Sequence, residues 1–353
     1  MSPWCTDTFD AHKSNSVFQS LYGHSEDSGI VRHEAFAHAA AMLLSALAGL
    51  AAGCAVDADS AEGLFVPALA AMLVFVFIVI EPRDLYRAFS NVRFTAAELA
   101  ANFLLAPALA AGLGLLFFPS DADMRIGLLM LLAMPCTDWF LVFTASAKGE
   151  VALSVAILPL NLVLQVVLIP IYVFTLVGSS ADFDIPSMLW NSAPMLAIPA
   201  AIAVSLRLVA HRLDKVGSVV GWMSASSGLL QLASLCLAIV AMFAYASGDL
   251  LDNLDTFAVL LAPLLIFFVT AYFASEIAAR AAGLGYDECT SLIFTAMARN
   301  PPLALAIVVS VFPDRPLILI TLAIAPLVEL PILSAVSGLR LRFRSQASLR
   351  PLP

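Results

Sequence analysis

Long apolar stretches alternate with short polar ones along most of the chain. Each stretch is close to the about 20 residues that an α-helix needs to cross a bilayer. The apolar residues run together and do not alternate with polar ones, which excludes a transmembrane β-barrel, so the backbone must be helical in lipid. The pattern predicts an all-α polytopic membrane protein with ten transmembrane helices, spans 1 to 10: 35–56, 64–81, 94–118, 125–147, 151–177, 187–209, 226–247, 254–279, 289–312 and 316–339.

Composition and charge support this class and give the spans an orientation. Of the 353 residues, 61% are hydrophobic and 12% charged, and the mean hydropathy is +0.95, which excludes a soluble globular domain. Of the 17 Lys and Arg residues, all except Arg125, Arg299 and Arg315 lie in the tails and in one alternating set of loops. The positive-inside rule makes that side cytoplasmic, with polar cytoplasmic tails at 1–34 and 342–353 of a cell-membrane protein.

Short sequence patterns recur in the same order in the two halves of the chain. LLAP occurs at Leu104–Pro107 in span 3 and at Leu260–Pro263 in span 8. Spans 4 and 9 contain the proline-bearing segments AMPCTDW and MARNPPLA, and spans 5 and 10 contain LPLNL and APLVEL. These matches predict two five-helix repeats, residues 35–178 and 186–341. An odd number of spans inserts the second repeat upside down, as in many secondary transporters.

Prolines in the middle of two corresponding spans predict two broken helices. Pro135 interrupts span 4, and Pro301 with Pro302 interrupts span 9. Breaks at equivalent positions of inverted halves indicate a substrate site near the bilayer midplane. Asn300 before Pro301 is typical of an N-cap before a proline at the first helical position. Thr137 or Asp138 is the corresponding cap in span 4, and we expect the half-helix starts to receive an oxyanion or a neutral hydroxide.

Three segments of the chain resemble a known family of transporters. NFLLAP in span 3, PCTDWFLVFTASAKGE in span 4 and APLVELP in span 10 are similar to the arsenite efflux permeases of the bile-acid:sodium symporter superfamily, over about residues 35–342. The resemblance implies a panel domain and a core domain, with helices 4 and 9 crossing in the core. It also implies export of trivalent arsenic and antimony, an essential cysteine that maps onto Cys136, and an acidic residue that maps onto Glu329.

The chain departs from that family in both broken helices. The permeases usually carry Arg-Cys in helix 4 and Asn-Asn-Phe-Glu in helix 9. Here span 4 has Pro135 before Cys136 and an acid, Asp138, after it, whereas span 9 has Arg299 and two prolines. We therefore expect an exchange of partners in which Asp138 pairs with Arg299. Because prolines replace the acidic and amide groups of helix 9, we expect no sodium cage there.

Eight residues form the predicted substrate-binding set: Cys136, Thr137, Asp138, Arg299, Asn300, Glu329, Asn161 and Asn102. Cys136 supplies a soft thiolate as a transient ligand for trivalent arsenic, because one thiol can release a substrate that three would retain. A carboxyl, Asp138 or Glu329, is expected to carry a proton.

Plainer interpretations exist for most members of this set. Cys136 can be a small packing residue and Asp138 a helix cap. Arg299 can extend to the membrane interface, and Asn102 and Asn161 can hydrogen-bond between helices.

The leading functional hypothesis is a secondary transporter, without a cofactor, that exports arsenite or antimonite by alternating access in exchange for protons. The alternative is a sodium- or proton-coupled carrier of a small organic anion, in which Arg299 binds a carboxylate. A membrane enzyme or a sensor is disfavoured because no nucleophile–base pair with an orienting group is visible. The five cysteines are unclustered, which argues against a disulfide framework, and no nucleic-acid signature is present.

Overall fold

The computed structural model describes residues 28–54, 58–79, 91–137, 139–177, 185–210, 212–252, 254–312 and 315–348. Within these ranges the regular structure is helical, apart from one isolated antiparallel β-bridge. The α-helices are α1 (Ser28–Gly53), α2 (Ala58–Val79), α3 (Val92–Ala100), α4 (Ala106–Phe117), α5 (Ala122–Ala133), α6 (Phe140–Ser146), α7 (Val151–Tyr172), α8 (Ile185–Ala210), α9 (Asp214–Ala225), α10 (Ser227–Asp252), α11 (Leu254–Ala282), α12 (Tyr286–Met297), α13 (Pro301–Val311) and α14 (Pro316–Ser348).

Within the described part of the chain, seven helical segments are long and apolar enough to cross a membrane, and they carry predicted spans 1, 3, 5, 6, 7, 8 and 10. The chain is therefore an all-helical, multi-pass membrane protein. Span 2 lies on α2, whose apolar part, Gly63–Ile78, is shorter. Spans 4 and 9 are each divided in two, into α5 and α6 and into α12 and α13. Helix α1 already begins within the predicted tail, and α14 continues past residue 341, the predicted end of the second repeat.

Polar side chains cap the starts of three helices around the divided spans. The side-chain oxygens of Asn91, Asp121 and Asn300 accept hydrogen bonds from the backbone N–H three residues later, at 3.2, 3.0 and 3.2 Å. Each cap satisfies one of the N–H groups that a helix start leaves without an intrahelical partner. The caps thereby fix the starts of α3, α5 and α13.

A π-helical segment, Ala101–Leu105, connects α3 to α4. Pro107, near the start of α4, has no N–H to donate to the carbonyl of Phe103 four residues earlier. Tyr172 supplies the missing donor, because its hydroxyl donates to Phe103 O at 2.6 Å. Single-turn π segments are frequent at functional sites, and this one contains Asn102.

Helix contacts fall into two groups. Helix α10 packs along α1 and α2, and α2 also packs along α8. In the second group α5 contacts α4 and α14, α11 contacts α12, and α13 contacts α14. Glycines allow close approach in both groups: a Cβ at Gly49 would lie 2.5 Å from Val240 O, and one at Gly127 would lie 2.8 Å from Thr321 Cβ. The second group surrounds the two broken helices.

Candidate substrate site at two broken helices

The break in span 4 exposes unwound backbone and a thiol to the interior of the helix bundle. Helix α5 ends at Ala133, and Pro135 has no N–H with which to continue it. Cys136 and Thr137 follow in non-helical conformation, and the short α6 begins at Phe140. Cys136 is only 2% exposed and Thr137 is fully buried. The break therefore holds a sulfur and a hydroxyl away from bulk water.

The break in span 9 is shorter and ends in a capped helix. Helix α12 ends at Met297, and α13 begins at Pro301 after the Asn300 cap. Pro301 and Pro302 have no N–H, Leu303 N–H donates to Asn300 Oδ1, and Ala304 N–H donates to Asn300 O. The start of α13 thus offers no free N–H to an anion. We expect an oxyanion or a neutral hydroxide at the half-helix starts, and this stays a prediction; here the prolines and the cap leave the backbone of α13 without a donor for it.

The two breaks pair with each other as a short piece of antiparallel β-structure. Pro135 and Arg299 form the bridge. Cys136 N donates to Ala298 O at 3.1 Å, and Asn300 N donates to Met134 O at 3.0 Å. In lipid, backbone groups released by a helix break must find partners inside the protein. Each break supplies backbone hydrogen-bond partners to the other, and these bonds fix Cys136 at the crossing point.

The side chains at the breaks add a second connection. Asn300 Nδ2 donates to Thr137 Oγ1 at 3.0 Å. Because the Oδ1 atom of Asn300 caps α13, this one amide both starts a helix and contacts the other break.

Arg299 lies at the centre of the crossing and is fully buried. Among the described residues its guanidinium donates to five oxygens, all of them neutral: Leu132 O at 2.8 Å, Asn102 Oδ1 at 2.9 Å, Met297 O at 3.3 Å, Thr295 O at 3.3 Å and Ala296 O. The Phe267 ring of α11 packs against it, with the guanidinium carbon 5.2 Å from the ring centroid. The backbone N–H of Arg299 donates to Glu329, and Asn102 connects its guanidinium to Glu98.

Glu329, from α14, joins the two breaks through one carboxylate oxygen. Its Oε1 accepts from Trp139 Nε1 at 2.8 Å and from Arg299 N at 3.0 Å. Trp139 precedes α6 in span 4, so the carboxylate connects spans 4, 9 and 10. Trp139 is not among the predicted site residues. Its indole N–H was the available signal, because a buried indole usually needs an acceptor.

Glu98, which is not among the predicted site residues, connects the polar groups on the other side of the crossing. Its Oε1 accepts from Asn102 Nδ2 at 2.6 Å and from Asn161 Nδ2 at 2.7 Å. Asn102 in turn accepts from Arg299, so a buried chain of polar groups runs from span 5 through span 3 to span 9. The spacing of four between Glu98 and Asn102 on one helical face was the available signal.

Seven of the eight predicted site residues lie in this buried network: Cys136, Thr137, Arg299, Asn300, Glu329, Asn161 and Asn102. Asp138 lies outside the described residues, and with it the predicted pair between Asp138 and Arg299. Among the described residues no group of three or more His, Cys, Asp and Glu side chains could hold a metal ion.

The crossing is closed to solvent in this conformation, since its residues are at most 2% exposed. An open cleft of about 450 Å³ lies elsewhere, at the start of α12. Six residues line it: Glu150, Gly285, Tyr286, Asp287, Glu288 and Arg344. A substrate at Cys136 would need the helix bundle to open, as alternating access requires.

Comparison of the sequence with known proteins identifies a family and two related chains. Residues 66–253 match the model of the Sodium Bile acid symporter family. The chain is 25% identical over 247 residues to the Arsenical-resistance protein Acr3 of Corynebacterium glutamicum, which covers 67% of this chain and 66% of that protein. It is 26% identical over 211 residues to the Uncharacterized protein YbaS of Bacillus subtilis, which covers 59% of this chain and 67% of YbaS. The chain thus matches just under two thirds of the length of Acr3.

Proposed function

The chain belongs to the sodium bile acid symporter family, whose model matches more than half of its length, and we propose that it is a secondary transporter that exports arsenite, and antimonite with it, from the cytoplasm. The observation that carries this proposal is the buried thiol of Cys136 on unwound backbone at the crossing of two broken helices. Similarity to a protein named for arsenical resistance supports the choice of substrate.

Thiol chemistry suits this substrate. Trivalent arsenic is soft and binds thiolate sulfur, and a nearby cation favours the thiolate form of a cysteine. Arg299 pairs with Pro135, the neighbour of Cys136, so it brings from span 9 the positive charge that the related permeases carry beside the cysteine in helix 4. Thr137 and Asn300 would hydrogen-bond the hydroxyl groups of the substrate, and Asn102, Asn161 and Glu329 would hold the surrounding frame.

The hydrogen-bond donors favour a neutral substrate over an anion. The start of α13 has no free N–H, and the guanidinium of Arg299 is already bonded to five oxygens. A small organic anion, the alternative suggested by the family name, would have to displace these bonds to reach Arg299. Arsenous acid carries no charge near neutral pH and has no such requirement.

For the architecture we propose ten membrane-crossing segments in two inverted repeats, residues 35–178 and 186–341, with cytoplasmic tails at 1–34 and 342–353. The two groups of helix contacts support a panel formed by α1, α2, α8 and α10 beside a core formed around the broken helices. The antiparallel bridge between Pro135 and Arg299 suits two copies related by inversion.

For coupling we propose inward movement of protons through Glu329 or Asp138, with both termini in the cytoplasm. Export of a neutral solute cannot be driven by the membrane potential alone, so a coupled ion must supply the work. Glu329 supports this scheme because its carboxylate accepts hydrogen bonds from both breaks. A change in the relative position of the breaks would therefore change the surroundings of this carboxylate.

The test is arsenite uptake by everted membrane vesicles. We expect Cys136→Ser and Cys136→Ala to reduce uptake to the level of vesicles that lack the protein. Cys289→Ser is the matched control, because Cys289 is also buried and lies on α12, in the other broken helix. Uptake that survives both Cys136 changes would reject the thiol site.

The same vesicles separate the coupling ions. An imposed proton gradient should drive uptake and a protonophore should abolish it. Uptake that is driven by sodium and indifferent to the protonophore would reject proton coupling. Uptake of a small carboxylate, with none of arsenite, would favour the organic-anion alternative.

A further inference from the structure

The guanidinium of Arg299 lies where the C-terminal ends of two half-helices converge. Leu132 O belongs to the last turn of α5, and the carbonyls of Thr295, Ala296 and Met297 belong to the last turn of α12. The Asn102 amide oxygen completes a cage of five neutral oxygens. The last carbonyls of a helix carry the negative end of its dipole, so two such ends facing each other need a positive charge between them.

A cage of this kind is suited to a small cation. In transporters with discontinuous helices, unwound carbonyls and half-helix C-terminal ends coordinate the coupling sodium ion or proton. Here the same type of oxygen is bonded to a side chain of the protein itself. The cation cannot dissociate, because Arg299 is part of the break that it neutralises.

We propose that Arg299 is a tethered cation: it permanently fills a carbonyl-lined cation site at the crossing, and the transporter therefore needs no sodium or potassium ion there. The cation site itself does not depend on the identity of the substrate. Only the statement about ion requirement rests on the transport function proposed above.

The position of Arg299 argues against a merely peripheral charge. A long cationic side chain near a membrane surface extends to the interface, whereas this one is fully buried and bonded to spans 3, 4 and 9. Phe267 covers it from span 8. Glu329 accepts from the backbone N–H of Arg299, and Asn102 lies between the guanidinium and Glu98.

The proposal predicts chemical rescue. Arg299→Ala should leave a cage of five oxygens that accepts a free guanidinium ion. We would measure the thermal unfolding midpoint of the purified variant in detergent while titrating millimolar guanidinium chloride, far below denaturing concentrations. Urea is the neutral control of the same shape, and choline chloride is the control for ionic strength.

We expect guanidinium, but neither urea nor choline, to raise the midpoint of Arg299→Ala saturably and to recover at least half of its loss relative to the wild type. The wild type should not respond. A folded Arg299→Ala variant without a saturable response, or an equal response in the wild type, would overturn the proposal.

If Arg299→Ala does not fold, Arg299→Lys and Arg299→Gln replace it. Lysine keeps a tethered monovalent cation, and glutamine keeps polarity without charge. We expect recovery of folded protein with Arg299→Lys to exceed that with Arg299→Gln several-fold. Equal recovery of the two variants would overturn the proposal.

The ion requirement is measured in everted vesicles. Replacing sodium and potassium with choline should leave wild-type arsenite uptake unchanged, and a loss of uptake would overturn the claim of ion independence. The unfolding titration contains no arsenite. If the wild type fails to transport arsenite in any medium, the proposed function is wrong, whereas the cation site is still judged by the titration.

Discussion

The breaks in spans 4 and 9 differ in how the second half of each helix begins. Helix α13 starts with a side-chain cap and two prolines, and the backbone donors at its start are satisfied or absent. Helix α6 starts after Trp139 without a side-chain cap, and the same break contains Cys136 and Thr137. The break in span 9 is thus closed around its own cation, whereas the break in span 4 contains the thiol and the hydroxyl that we propose contact the substrate.

This difference suggests a division of roles between two halves that share one plan. If the chain is an inverted repeat, both breaks began as equivalent structures. One now contains the buried thiol of Cys136, and the other contains the buried guanidinium of Arg299. The shared β-bridge then means that a change at either break is transmitted to the other. The following variants test how far the two breaks depend on each other.

We expect the largest effect from Glu329→Ala, which removes the described acceptor from one donor at each break. A buried donor left without a partner costs about 1–3 kcal/mol, so two of them cost several. Transport should be lost and the unfolding midpoint should fall markedly. Glu329→Gln retains an acceptor oxygen and should recover most of the stability, while uptake driven by a proton gradient should remain impaired if the carboxyl carries the proton.

Trp139→Phe is the matched control for Glu329, because it removes only the donor at span 4. Its loss of stability should lie between those of Glu329→Gln and Glu329→Ala. A midpoint of Glu329→Ala equal to that of the wild type would show that the carboxylate does not connect the breaks.

The second-largest effect is expected at Glu98, which contacts the cage of Arg299 through Asn102. Glu98→Ala removes the acceptor of Asn102 and Asn161, whose amides can turn to other partners, so we expect a smaller loss, of about 1–2 kcal/mol. Uptake should fall without being abolished, because Cys136 is not contacted. Glu98→Gln, which keeps an acceptor in the same place, is the control. A complete loss of uptake in folded Glu98→Gln would instead give Glu98 a role in the coupling.

The third effect concerns the cap that closes span 9. Asn300→Ala removes the acceptor of Leu303 N–H and should destabilise the protein by about 1 kcal/mol, the usual cost of a lost N-cap. Asn300→Asp keeps the cap but lacks the amide that donates to Thr137, so it separates the two functions of this side chain. If both variants lose the same stability, the cap contributes little and the contact with span 4 dominates.

Long apolar runs were sufficient to predict the helices, because a bilayer leaves few alternatives to an α-helix. The prolines of spans 4 and 9 likewise predicted both breaks, since a missing backbone N–H interrupts the helix at the proline itself. The partners of the breaks could not be predicted, because they come from segments far apart in sequence: Glu329 reaches Trp139 across 190 positions. Glu98 was missed for a related reason. A carboxylate near the start of a predicted span suggests the membrane rim, and only packing against span 5 buries it.

Other differences have local causes. The polar character of the chain before residue 35 suggested a tail, but α1 already begins at Ser28. Helix α9 (Asp214–Ala225) falls between spans 6 and 7 and is too short and mixed in polarity to be recognised as a span. The π segment at Ala101–Leu105 depends on a hydroxyl from Tyr172, which no local pattern indicates. The hydrophobic pattern therefore predicted the long helices. Their exact ends, the short helix α9 and the π segment depend on tertiary contacts that the pattern does not contain.

The smallest effect we expect is at the side-chain hydrogen bond between the two breaks. Thr137→Val keeps the shape of the side chain but removes the oxygen that accepts from Asn300 Nδ2 at 3.0 Å. Combined with Asn300→Ala in a double-mutant cycle, it should give a coupling of about 0.6 kcal/mol, the average for hydrogen bonds between membrane helices. Thr137→Ser, which retains the hydroxyl, should preserve the coupling. Unfolding in detergent titrations provides the free energies. A coupling near zero would mean that the backbone bridge and Glu329 alone join the breaks, whereas a coupling several times larger would mean that Thr137 and Asn300 act as one unit with the rest of the network.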